Sequence, residues 1–149
     1  MRNHEKTRIL IVDDQENTLQ SYTQILESEG YEVITASSVY KAREILDSQY
    51  LNLVITDVRM PEEDGMSLVD FLSFFYPKVA VIIITGNPGM RTDIQAYLGG
   101  AVDFLLKPVD REDLLESVLR CISTDLEDDF DDEDSAEKIL KTLKELGDV

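Results

Sequence analysis

Five short apolar runs punctuate this chain, at residues 9–12, 31–35, 51–56, 79–84 and 102–106, with longer segments between them. No other feature constrains the fold as much. Four of the five are nearly continuous in Val, Ile and Leu instead of alternating with polar residues. Such runs are expected of strands buried on both faces, as in a parallel sheet covered by helices. The intervening segments, 16–29, 39–48, 65–75, 90–98 and 111–121, are long enough for crossover helices. Leu114, Leu115, Val118, Leu119 and Ile122 fall at helical spacing. Gly30, Pro61 with Gly65, Pro77, Gly86 with Gly89, and Gly99 with Gly100 mark the boundaries. A strict alternation of strand and helix implies an α/β fold: a parallel sheet, right-handed crossovers and helices on both faces.

Size and charge narrow the class. A chain of 149 residues, 43% hydrophobic and 30% charged, supports one core of ordinary size. Its apolar runs fall far short of the roughly 20 residues needed to cross a bilayer, and the first eight residues lack a signal-peptide core. The single cysteine, Cys121, reads as a small buried apolar residue late in a helix. A cytoplasmic protein without membrane association is expected. The formal charge is −17, of which −8 falls in residues 123–149. No basic stripe is present to follow a phosphate backbone, so direct nucleic-acid binding is not expected.

After residue 122 the texture changes. Asp125 to Asp134 holds eight carboxylates in ten residues, a composition that favours a solvated linker. Leu126 and Phe130 continue the spacing of Ile122, so the last helix is expected to run a turn or two further. Ala136, Ile139, Leu140, Leu143 and Leu146 then form one stripe at helical spacing, with Asp134 or Ser135 placed to cap it. A dozen residues make a marginal helix alone, so this stretch needs a surface to lie on. Return onto its own domain, self-association and docking to a partner stay open. Phe71, Phe74, Phe75 and Tyr76 cluster at the end of the third helix. They read first as core or helix-end contacts and only secondarily as a protein-binding surface.

In an open α/β sheet, ligands bind beyond the carboxyl ends of the strands. Those ends carry Asp13 and Asp14 after the first run, Asp57 after the third, Thr85 after the fourth and Lys107 after the fifth. One Asp after a strand is ordinary turn chemistry. Three carboxylates, a hydroxyl and an ammonium converging from four strands are not explained that way. Crowded carboxylates raise one another's pKa unless cations neutralise them. Lys107 supplies one positive charge, and a divalent ion supplies the rest. An oxygen-only site suits Mg²⁺, which pairs carboxylates with phosphate oxygens. A carboxylate so placed can act as a nucleophile toward phosphorus and form an acyl phosphate.

Four segments carry a family resemblance: Ile-Leu-Ile-Val-Asp-Asp at 9–14, Asp-Val-Arg-Met-Pro-Glu-Glu-Asp-Gly at 57–65, Ile-Ile-Thr-Gly at 83–86, and Gly-Ala-Val-Asp-Phe-Leu-Leu-Lys-Pro at 100–108. From about residue 7 to 122 the chain resembles the CheY-like receiver domain of two-component response regulators. The resemblance implies a doubly wound, flavodoxin-like strand order 2-1-3-4-5 and a receiver at 1–122, which leaves 123–149 to the acidic linker and amphipathic helix read above. It implies that Asp57 is the phosphoacceptor and that Asp13, Asp14, Asp57 and the backbone carbonyl of Arg59 hold Mg²⁺ or Mn²⁺. Lys107 and Thr85 would contact phosphoryl oxygens, and Phe104 would turn inward as Thr85 moves. The Lys107–Pro108 bond is similar to one that is cis in the family, where it aims the lysine at the site. Gly86 would leave room for the phosphoryl group, Asn87 sits where hydrolysis is tuned, and Glu62 and Glu63 read as solvated loop.

The function so implied is a switch rather than a metabolic enzyme. Asp57 would take its phosphoryl group from a sensor histidine kinase or histidine phosphotransfer protein, with at most weak autophosphatase activity. The output would be a downstream protein target, with a homodimer possible, because the 27 residues after Ile122, 11 of them acidic, are too few for an output domain. Other readings are a phosphorylation-independent interaction module, a receiver cut from a longer regulator, or a phosphatase with an aspartyl-phosphate intermediate. Phosphatases of that kind place an Asp-x-Asp after the first strand, whereas this chain has Asp13-Asp14-Gln15 there and Asp57 after the third. A nucleotide fold would need a glycine-rich loop after the first strand, where Asp13-Asp14-Gln15-Glu16 stands.

Overall fold

The runs become strands because their Val, Ile and Leu side chains fill both faces of one sheet. In the computed structural model, residues 6–57, 65–86 and 102–128 are described, without the side chains of 65, 66, 102 and 123–128. The strands are β1 (Arg8–Val12), β2 (Glu32–Ala36), β3 (Leu53–Asp57), β4 (Ala80–Thr85) and β5 (Val102–Leu106). All pair in parallel in the order β2-β1-β3-β4-β5, as expected. The described helices are α1 (Glu16–Ser28), α2 (Val39–Ser48), α3 (Gly65–Phe75) and α4 (Arg111–Asp128). The helix expected at 90–98 and the amphipathic stretch at 136–146 lie outside the described residues. The last helix continues past Ile122 to Asp128, in line with the extra turns read from the sequence.

Local chemistry sets the helix ends. Ser38 caps α2, its hydroxyl accepting from the Lys41 N–H at 3.1 Å. Asp110 does the same for α4, accepting from the Asp113 N–H at 2.8 Å. Gly30 ends α1 with φ 93°, a left-handed turn in which Gly30 N–H reaches Glu27 and Tyr31 N–H reaches Leu26. That reversal delivers the chain directly into β2.

Alternation along the strands divides the core in two. Leu10, Val12, Val54, Val81 and Ile83 face α2 and α3, meeting Val39, Ala42, Leu46, Leu68 and Leu72. Ile9, Ile11, Leu53, Ile55, Ile82 and Ile84 face α1 and α4, meeting Leu19, Tyr22, Leu26, Leu114 and Val118. The described residues of β1, β3 and β4 are almost entirely buried, whereas β5 is half-exposed and Leu106 is open to water. This corrects the expectation of four doubly buried strands. A continuous apolar run does not reveal that its strand will lie at the edge, with a neighbour on one side only. Cys121 is buried, as read from its place in the helix. Of the four aromatics read first as core or helix-end contacts, Phe71 and Tyr76 rest against the core, and Phe74 and Phe75 are exposed.

Candidate functional site: a charged rim at the carboxyl edge

Strand register brings the polar strand ends together. Val12 is level with Thr56, so Asp13 is level with Asp57 one step on. Asp57 is level with Ile84, and Thr85 with Leu106, which puts Lys107 one step beyond. Backbone bonds extend the β1–β2 and β4–β5 pairings past the strands: Asp13 N–H donates to Ala36 O at 3.1 Å, and Lys107 N–H to Thr85 O at 2.9 Å. The Lys107–Pro108 peptide is cis, as the resemblance implied.

The side chains meet on the α1/α4 side. Lys107 Nζ donates to Asp57 Oδ2 at 2.7 Å and stands 3.6 Å from Asp13 Oδ2. Asp13 is 2% exposed and Asp57 7%. The other oxygen of Asp13 accepts from the Gln15 N–H at 2.9 Å, which turns the chain into α1. Asp14 is exposed at the same corner. Burial holds the Asp13 carboxyl above its usual range, and the charges of Asp57 and Asp14 add to the effect, against the Gln15 N–H and Lys107. Burial alone would lower Lys107, but the hydrogen bond to Asp57 and the charges of Asp57 and Asp13 outweigh it and raise its pKa. The ammonium is thus locked on at neutral pH. Among the described residues, two buried carboxylates meet the Lys107 ammonium, and the exposed Asp14 follows directly in the chain.

Thr85 and Phe104 belong to the opposite face. Ile83 and Phe104 both join the α2/α3 cluster and are register partners, so alternation sets the buried Thr85 on that same side. Phe104 is half-buried there, and its N–H donates to Asp103 at 2.9 Å. Among the described residues, a Cβ added at Gly86 would meet only Lys107 Cβ, at 4.0 Å. Arg59, Glu62, Glu63 and Asn87 lie outside the described residues.

Two features of this region escaped the sequence reading. Tyr22, on the inward stripe of α1 with Leu19 and Leu26, is buried, and its phenol is raised by burial and feels the charges of Lys107, Asp13 and Asp57. A tyrosine on an apolar stripe beside Asp13 was the available signal. Asp103 accepts from Ser117 Oγ and pairs with Arg120 at 2.6 Å, tying β5 to α4. Its partners lie 14 and 17 residues away, a separation that carries no local pattern.

Could these residues hold a cation? Among the described residues no three carboxylates already stand at the spacing of a closed metal site. The donor set nevertheless suits a hard divalent ion: oxygen only, short of positive charge, and opening to solvent at Asp14. Among the described residues no helix is long and apolar enough to cross a membrane.

The comparisons with known proteins agree with this geometry. Residues 9–119 match the family model of the response regulator receiver domain. The chain is 36% identical over 107 residues to the alginate biosynthesis transcriptional regulatory protein AlgB of Pseudomonas aeruginosa, covering 72% of this chain and 24% of AlgB. It therefore spans about a quarter of the length of the curated relatives it matches. A receiver domain protein from Clostridium thermocellum superposes with TM-score 0.72 at 35% identity, covering 78% of this chain and 94% of the other. The response regulator TrrA of Thermotoga maritima, solved in complex with Mg²⁺–BeF, superposes with TM-score 0.71 at 28% identity, covering 77% and 98%. With its strand order, its charged rim and a family match over most of its length, the chain belongs to the receiver domains of two-component response regulators, the phosphorelay signalling family.

Proposed function

We propose that Asp57 accepts a phosphoryl group from a phosphohistidine of a sensor histidine kinase or histidine phosphotransfer protein, and that this switches a protein-interaction surface. The observation that carries this reading is the Lys107 ammonium 2.7 Å from Asp57, with the buried Asp13 carboxylate 3.6 Å from the same nitrogen. An Asp57 oxygen attacks phosphorus, the phosphorus–nitrogen bond breaks, and the imidazole nitrogen keeps the electron pair. Asp13, Asp14 and Asp57, with the carbonyl of Arg59, would hold Mg²⁺ or Mn²⁺; the Mg²⁺–BeF complex of the similar TrrA supports the choice of magnesium. The ion, when bound, neutralises charge on the phosphoryl oxygens.

The chain's own residues do the rest. Lys107 turns its ammonium from Asp57 to a phosphoryl oxygen. Thr85 reorients its hydroxyl toward another. Because Thr85 and Phe104 share a face, movement of the first opens room for the ring of the second to turn inward. A packed element with two arrangements thereby reads a local charge change. Water attacking phosphorus later releases phosphate and restores Asp57, a weak autophosphatase step. The protein acts in the cytoplasm on a downstream protein target, alone or as a homodimer, with no direct role for nucleic acid or membrane. Since relatives such as AlgB are longer transcriptional regulators, service as the receiver of a longer regulator is the second reading.

The test is incubation with a small phosphodonor, with and without Mg²⁺, on wild type and Asp57→Asn, followed by intact mass. One added phosphoryl group is expected, only when both the metal and Asp57 are present. Equal labelling of Asp57→Asn, or none of wild type from an active cognate donor, would overturn the assignment. Multiple turnover of phosphate monoesters would instead identify a phosphatase.

A further inference from the structure

The last turn of α3 carries an apolar patch that the phosphoacceptor chemistry does not use. Phe74 is 79% exposed and Phe75 60%. Their rings meet edge to face at 4.9 Å, and Phe75 lies 5.0 Å from Phe71. Arg43 of α2 covers Phe71 at 4.8 Å, and the Tyr76 hydroxyl donates to Asp47 at 2.6 Å. Scattered surface phenylalanines need no explanation, but adjacent ones on a shared patch mark a contact surface.

The chain contains a segment that fits it. Ala136, Ile139, Leu140, Leu143 and Leu146 form one apolar stripe too short to hold a helix without support. Reach is the deciding quantity. Each helix of a parallel sheet runs back toward the amino ends of the strands, so α3 and α4 both finish at that edge. The 18 residues of α4 extend about 27 Å, whereas the six residues of β4 cover about 20 Å. α4 is therefore longer than the strand it packs on. Residues 129–135 can span up to about 23 Å, about twice the 10–12 Å diameter of a helix. Charge agrees modestly with the match. Asp47, bonded to Tyr76, and Asp70, one turn before Phe74, are exposed beside the aromatic residues, whereas residues 136–146 carry Lys138, Lys141 and Lys144 against Glu137 and Glu145.

We propose that residues 136–146 fold back as a helix onto the Phe71, Phe74 and Phe75 surface of their own chain. This docking occupies the end of the sheet opposite the charged rim and leaves the phosphoacceptor accessible.

Amide hydrogen exchange on the full chain, at two protein concentrations about tenfold apart, tests it. Protection is expected at 136–146, independent of concentration. In Phe74→Ser/Phe75→Ser it should fall at least tenfold while the amides of β1 and β3 stay protected. Leu140→Ser/Leu143→Ser, which leaves the sheet untouched, should speed exchange both at 136–146 and at the last turn of α3. That second variant keeps the test decisive if the first fails to fold. An unprotected tail in wild type, or no response to the tail substitutions, overturns the proposal. Protection that grows with concentration overturns it in favour of a second copy as the occupant.

Discussion

The two edges of the sheet use polar groups in opposite ways. At the amino edge the groups match. Arg8 N–H donates to Asn52 Oδ1 at 2.8 Å, Asn52 N–H returns to Arg8 O at 2.9 Å, and Ala80 N–H reaches Asn52 O at 3.1 Å. The Arg8 guanidinium meets Glu32, Gln49 and the Tyr50 carbonyl. One cation faces one carboxylate, and the remaining donors find neutral oxygens. At the carboxyl edge, among the described residues, two buried carboxylates converge on the Lys107 ammonium, with a third acid beside them. An edge that serves only to hold strands in register can balance its charges completely. An edge that must receive a cation and a phosphoryl group keeps a negative surplus, and folding stability bears the repulsion.

Substitutions can break this contrast. Lys107→Met should have the largest effect, about 2 kcal/mol of destabilisation without metal, because it leaves Asp13 and Asp57 facing each other; the figure is discounted for the partial exposure of the lysine. Urea unfolding measures it, and added Mg²⁺ should recover part of the loss. A neutral result would mean that the carboxyl edge carries no surplus.

Asp103 offers an intermediate case, a half-buried carboxylate with full partners. Burial pushes its pKa up, but hydrogen bonds from Ser117, Arg120 and the Phe104 N–H outweigh that and bring it below its ordinary value. Its folded pKa thus lies below the unfolded one. The stability it contributes is present above the ordinary aspartate range and is lost as pH falls through the lowered folded value. Ser117→Ala should cost about 1.5 kcal/mol at neutral pH and move the acid-unfolding midpoint to higher pH. An unmoved midpoint would show that the serine does not hold the charge. The smallest effect belongs to the amino edge: Asn52→Ala should cost about 1 kcal/mol and leave the rate of Asp57 labelling unchanged. Slower labelling in that variant would show that the two edges are coupled and sharpen the comparison into a mechanism.

Much of this molecule could be read before folding was considered. Continuous Val and Ile runs such as 81–84 declare buried strands because no polar residue interrupts either face. Gly30 and Ser38 mark helix boundaries because their backbone and side-chain chemistry is local. In a parallel sheet every strand points the same way, so the residue after each run must reach one common edge. Asp13, Asp57, Thr85 and Lys107 are therefore legible as a set.

What the sequence could not supply is anything that depends on neighbours distant along the chain. Asp13 and Asp14 are adjacent and chemically alike, yet one is buried against Lys107 and the other faces water. The half-exposure of β5, the clamp of Asp103 on α4 and the approach of Tyr22 to the charged rim share that origin. Local propensity and hydrophobic period are properties of a segment, so the amino-acid order determined the elements and the edge on which the chemistry stands. Burial and pairing belong to surfaces that exist only after the sheet has assembled, and tertiary structure alone decided which carboxylate is enclosed and which aromatics are left exposed.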